Sequence, residues 1–176
     1  MIISCQAVED EPLYVEEKSI MYLMARAAKQ AGTPAIRTSS IRDVVAIKEE
    51  TGLPVIGLVK IQYPGYEAYI TPTMKEVDDL VAAGSDVVAL DCTLRKRGDG
   101  TTINEFIAQI KEKYPDIILM ADISNYEEGI NAWKCGVDIV GTTMSGYTAY
   151  TSRKDWQKIQ TFRLLAKVRS TIRIRL

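Results

Sequence analysis

Two hydrophobic periods alternate along the first 150 residues, and that alternation limits the possible folds more than any single motif does. Short apolar runs bounded by turn residues fall at 2–5, 35–37, 55–59, 87–90, 117–121 and 137–141. Runs of this length, apolar on both faces, read as buried parallel strands. Between them the apolar residues take helical spacing, as in Met21, Met24 and Ala28, then Ile41, Val44 and Val45. The same spacing recurs in Met74, Val77 and Leu80, in Ile103, Phe106 and Ile110, and in Ile130 and Trp133. Each set covers one face of a helix. Gly32, Gly52, Gly84 and Gly136 follow these runs, where a helix ends most readily in a left-handed residue. Thr73 with Glu76 three positions later predicts a capping box.

Strand–helix units of this kind predict parallel strands joined by right-handed crossovers. Six strands suit either an open doubly wound sheet or part of a barrel. No Gly-x-Gly-x-x-Gly follows the first strand, as a dinucleotide-binding sheet would require. A polar residue stands at the C-terminal end of nearly every strand: Gln6, Arg37, Lys60, Asp91, Asp122 and the pair Thr142 and Thr143. In a barrel these ends converge on one face, where the chemistry sits. The pattern predicts an α/β fold of the TIM (β/α)8-barrel type. About six of eight units are recognisable over residues 1–152, an incomplete barrel, with a divergent basic tail over 153–176.

Composition narrows the function classes. The 176 residues contain no histidine, which excludes Ser–His and Cys–His mechanisms and leaves Lys, Asp, Glu, Tyr and Cys for proton transfer. Cys5, Cys92 and Cys135 lie far apart with no Cys-x-x-Cys pair, so neither a structural zinc site nor a disulfide framework is expected. No apolar run is long enough to cross a membrane, and Met1-Ile2-Ile3-Ser4 lacks the features of a signal peptide. A cytoplasmic location is expected. The net charge of −1 hides an asymmetry: residues 153–176 hold eight basic groups against Asp155, leaving 14 basic and 22 acidic groups before them. A basic tail suits an anionic partner, yet we expect neither nucleic acid nor membrane as one.

Each strand-end residue has a bland reading beside a chemical one. Lys60, after the apolar run 55–59, reads as a partly desolvated base or as a lysine snorkelling into water. Asp91 and Asp122 suit a substrate hydroxyl, a neighbour of Lys60 or, more commonly, a helix cap. Arg37 offers a fork of donors or a strand-end salt bridge of little value. Gln6 is neutral and carries no weight alone. The segment from Gly141 through Thr142, Thr143 and Tyr147 to Thr148 is a hydroxyl-rich loop for a polar ligand or a long ordered turn. Tyr63, Tyr66 and Tyr69 suit either an aromatic wall or ordinary loop packing.

Taken in order, these strand ends resemble the N-acetylmannosamine-6-phosphate 2-epimerase family. The matching strings are Ser4-Cys5-Gln6-Ala7 with Asp10-Glu11-Pro12-Leu13, Ala35-Ile36-Arg37, and Leu53-Pro54-Val55-Ile56-Gly57-Leu58-Val59-Lys60. They continue with Ile70-Thr71-Pro72-Thr73-Met74-Lys75-Glu76, Ala89-Leu90-Asp91-Cys92-Thr93, Met120-Ala121-Asp122-Ile123-Ser124, and Gly141-Thr142-Thr143-Met144-Ser145-Gly146-Tyr147-Thr148. The resemblance implies a TIM-barrel isomerase that interconverts N-acetylmannosamine 6-phosphate and N-acetylglucosamine 6-phosphate in sialic acid catabolism, without metal or organic cofactor. It implies that Lys60 is the acid/base. It places substrate-binding groups on Gln6, Arg37, Asp122, Thr142 and Thr143, with Asp91 and Tyr147 in support.

The chain departs from the family in places. After Tyr150 the family's seventh strand with its catalytic glutamate, and its last strand with phosphate loops, are not recognisable. The alternative reading is therefore a catalytically impaired relic that folds or binds sugar phosphate without turnover. Thr38-Ser39 and Ile61-Gln62 also differ from the family's usual residues. Strands one and six, left as open edges, predict a homo-oligomer or a seventh strand formed from residues 171–176, where Ile172, Ile174 and Leu176 alternate with arginines.

Overall fold

A computed structural model describes residues 1–9 and 11–151. Six strands alternate with five helices: β1 (Ile3–Ser4), α1 (Met21–Gln30), β2 (Ile36–Ser39), α2 (Ile41–Thr51), β3 (Val55–Leu58) and α3 (Met74–Ala82). Next come β4 (Val87–Asp91), α4 (Ile103–Lys113), β5 (Ile118–Asp122), α5 (Tyr126–Lys134) and β6 (Ile139–Gly141). All six strands are parallel and lie side by side in sequence order. A doubly wound sheet reverses its order partway across; this one winds in a single direction. The described residues form five β/α units and a sixth strand of a TIM-type barrel, the fold that the polar strand ends predict. No helix among the described residues is long and apolar enough to cross a membrane. The tail from 153, the proposed strand 171–176 and Asp10 of the second matching string lie outside the described residues.

The strands are apolar on both faces because each face has its own core. Val55, Val88, Leu90, Leu119 and Ala121 pack outward with Val44, Ile47, Val77, Leu80, Phe106, Ile107 and Ile110 of the helices. Ile56, Leu58, Val87, Ala89 and Met120 point the other way, where Ile70 and Met144 fill the concave side. This is the alternation of a barrel wall. Gly57 faces outward, and a methyl there would lie 2.3 Å from Ser85 Oγ and 2.9 Å from Leu80 Cδ2. Glycine lets α3 and the 80–85 turn approach the sheet at that point.

Local signals place most boundaries. Ser40 Oγ accepts from the Asp43 N–H at the start of α2, and Gly52 ends that helix at φ +62. At α3, Glu76 accepts from the Thr73 N–H at 2.9 Å, closing the predicted box. Three strands extend beyond their apolar runs: β2 continues through Thr38 and Ser39, and β4 and β5 carry on through Asp91 and Asp122, which pair with each other in the ladder.

Candidate active site

Curvature of the sheet brings distant side chains together. Along the hydrogen-bonded register Arg37 is level with Ile56, Ile56 with Val87, and Val87 with Ile118. In a flat sheet Asp122 would then lie four residues, about 13 Å, further along and three strand spacings, about 14 Å, across from Arg37. Those offsets are more than the two side chains can reach. Yet Arg37 Nη1 and Nη2 each donate at 2.8 Å to a different oxygen of Asp122. The tilt and curl of a barrel wall remove both offsets. Thr143, just past β6, donates its hydroxyl to Asp122 Oδ1 at 2.6 Å, and Met120 Sδ lies 3.5 Å from Arg37 Nη1. The ion pair is nearly dry, with side-chain exposures of 11% for Arg37 and 0% for Asp122.

Three residues from three parts of the chain thus meet at the strand ends. Asp122 caps no helix, since Asn125 caps α5. Arg37 makes the strand-end salt bridge, one of its two expected roles, buried and two-pronged rather than loose and exposed.

Asp91, one strand over, is equally buried but spent locally. Its Oδ1 accepts from the Thr93 N–H and hydroxyl, and its Oδ2 from Arg95 Nη2 at 2.6 Å and the Tyr69 N–H at 3.2 Å. A carboxylate has about four acceptor positions, and all are used. Asp91 is a scaffold for its loop. It does not cap α4 either, because Thr102 does.

The loop between β3 and α3 folds back on itself. Thr71 N donates to Val59 O at 2.7 Å and Ile61 N to Tyr69 O at 2.9 Å, setting Lys60 opposite Ile70 in an antiparallel bridge. In that pattern the facing residues form a non-hydrogen-bonded pair, and their side chains lie close on one face. Ile70 packs into the concave core, so the Lys60 side chain leaves the ribbon on the barrel's inner side. The residue itself is exposed. The expectation of a partly desolvated lysine is not met, because the strand ends at Leu58 and Lys60 stands beyond the apolar wall.

Gln6 lies on β1's edge of the same end. Its amide donates to Ser4 Oγ at 2.6 Å, while Oε1 is buried with no hydrogen-bond partner. An unpartnered buried acceptor is costly and suits a donor from a ligand, such as a hydroxyl or amide N–H. Thr142 is half-buried, and Tyr147 is 69% exposed at the rim.

Two groups complete the site. Among the three tyrosines only Tyr69 joins it: its hydroxyl reaches Met144 Sδ at 3.6 Å, and burial, then Asp91, push the phenol above its ordinary range. Tyr63 instead bonds Glu76, and Tyr66 lies beside Arg97. Arg95, unforeseen from the sequence, bonds Asp91 and Thr93 and lies 5.6 Å over the Tyr69 ring. Its spacing four residues after Asp91 is the one signal that points to it, and in a non-helical loop that signal is weak. No group of metal-ligating side chains forms among the described residues.

A family model described as NanE, "Putative N-acetylmannosamine-6-phosphate epimerase", matches residues 21–173. That match extends into the basic tail. A protein of Caldanaerobacter subterraneus subsp. tengcongensis, named "Putative N-acetylmannosamine-6-phosphate 2-epimerase", is 50% identical over 95% of this chain and 70% of its own length. One from Enterobacter sp. with the same name is 48% identical over 86% of this chain and 63% of its own. The chain therefore spans about two thirds of the curated relatives it matches. Among solved structures, the N-acetylmannosamine-6-phosphate 2-epimerase from Clostridium perfringens superposes with a TM-score of 0.82 at 44% identity. That alignment covers 98% of this chain and 72% of the other.

Proposed function

Since the chain belongs to the N-acetylmannosamine-6-phosphate epimerase family, we propose that it interconverts N-acetylmannosamine 6-phosphate and N-acetylglucosamine 6-phosphate. The observation that carries this reading is the gathering of Arg37, Asp122 and Thr143 at the strand ends, with Lys60 directed toward the same concave side. In the open-chain sugar the C2 proton lies next to an aldehyde and is acidic enough for an amine base. Lys60 takes that proton, and a second group returns one from the opposite face. Donors held in place stabilise the enolate oxygen that develops between the two steps. Arg37 retains its Nε–H beyond the bonds to Asp122, Thr142 adds a hydroxyl, and Gln6 Oε1 accepts from the substrate's hydroxyl or amide.

The natural setting would be the cytoplasmic breakdown of sialic acid, in a homo-oligomer that covers the edges of β1 and β6. A second reading is favoured by one observation: both buried strand-end carboxylates, Asp91 and Asp122, are already committed to hydrogen bonds. On that reading the chain binds the sugar phosphate without turning it over.

The experiment is incubation with N-acetylmannosamine 6-phosphate in heavy water, with C2 followed by NMR. Deuterium in both epimers is the expected result. Washout without inversion would leave Lys60 acting alone, and binding without exchange would establish the second reading. Lys60→Ala should abolish exchange; exchange that persists in it removes Lys60 from the mechanism.

A further inference from the structure

Thr71 holds a backbone conformation that its side chain opposes. Its φ is +48, and Ser40 is the one other non-glycine residue with positive φ among those described. Threonine is β-branched, and a residue before proline favours extended backbone, so Thr71, followed by Pro72, is doubly unsuited to this region. A glycine would adopt it without strain. Strained residues of this kind persist where the surrounding structure fixes them, and they gather at functional sites.

What threonine supplies and glycine lacks is a hydroxyl, and that hydroxyl has a definite target. Thr71 Oγ1 accepts from the Val59 N–H at 3.2 Å, while the Thr71 N–H donates to Val59 O at 2.7 Å. One residue therefore takes both backbone groups of the residue immediately before Lys60. Thr71 is fully buried. Its neighbour Ile70 accepts from the Asp91 N–H at 2.9 Å, which fastens the returning strand to β4. On the other side of Lys60 the Ile61 N–H donates to Tyr69 O at 2.9 Å, so Thr71 holds the near half of the pairing around Lys60, beyond the β3–β4 ladder at Ile56 and Gly57. A slip of one residue in this pairing would turn Lys60 to the opposite face.

Building on the epimerase reading, we propose that Thr71 is a positioning residue for Lys60, clamping Val59 so that the amine keeps its register over the concave side. The strain is retained because the αL turn brings N–H and hydroxyl to the same partner.

Three variants of the full chain test this. Thr71→Val keeps the shape and removes the acceptor; kcat should fall about 10- to 100-fold, the effect of a small misplacement of a reacting group, with KM within about twofold. Thr71→Ser should restore kcat to within about threefold. Thr71→Gly relaxes the backbone but still lacks the hydroxyl, and should match the valine variant even where it folds as well as the parent. A folded valine or glycine variant with the parent's kcat would overturn the proposal, as would a serine variant no better than valine.

A second readout is independent of turnover. The lysines are labelled by reductive methylation with 13C, the Lys60 resonance is assigned by its absence from Lys60→Ala, and that resonance is compared between parent and valine variant. A shifted or split signal supports the clamp, and an identical one refutes it. A parent chain without C2 exchange would sink the epimerase reading alone, because the labelling arm would still decide the role of Thr71.

Discussion

The Arg37–Asp122 pair sets up the sharpest test of how this barrel wall is held. Replacing Asp122 by leucine leaves the Arg37 guanidinium, whose side chain is 11% exposed, without a counter-ion. Replacing Arg37 by methionine leaves a fully buried carboxylate with only the Thr143 hydroxyl to bond. Removing one partner of such a pair costs about 3–5 kcal/mol, because the survivor remains charged and desolvated. Replacing both by apolar residues of similar volume is often neutral. The double variant Arg37→Met with Asp122→Leu should therefore fold about as stably as the parent, giving a coupling energy of several kcal/mol. In urea, with a slope of about 2 kcal/mol/M, each single variant should lower the midpoint by about 2 M and the double variant by less than about 0.5 M. Single losses under about 1 kcal/mol, or losses that simply add in the double variant, would refute the claim that these charges meet in a dry interior.

Two further outcomes follow from particular contacts. Gly57→Ala should destabilise the fold by about 1–3 kcal/mol through overpacking against Ser85, Leu80 and Val44; thermal unfolding of the variant checks this, and an unchanged melt contradicts the close approach. At the α3–α4 surface, hydrogen bonds from Lys113 and then Tyr114 hold the Asp78 carboxyl below its ordinary range. A carboxyl depressed in the folded state stabilises it above the unfolded value, about 3.9, and that contribution is lost as pH falls through the lower folded value. Asp78→Asn should cost up to about 1 kcal/mol at neutral pH, and the difference from the parent should shrink as the solution is acidified below about pH 4. A difference that persists at pH 2 would assign the loss to something other than charge.

The order of elements was legible in the sequence because it rests on local rules. Apolar runs at 55–59 and 87–90 and the helical spacing around Val77 or Phe106 depend on neighbours a few residues away, as do the Thr73–Glu76 box and the left-handed Gly52. The same rules put polar groups at the ends of the strands. They could not say which of these groups would meet. Asp91 and Asp122 look alike in sequence, yet one is consumed by Thr93, Arg95 and Tyr69 while the other spans the wall to Arg37. That outcome depends on strand tilt and curl, which only the assembled sheet defines. Lys60 shows the same division. Its place at a strand end follows from the chain, but its direction comes from the returning segment that sets it opposite Ile70. Periodicity fixes which residues lie on a strand, since the backbone repeats every two or 3.6 residues. Contacts between residues 85 apart are set by the geometry of several strands at once, and no local pattern carries that information.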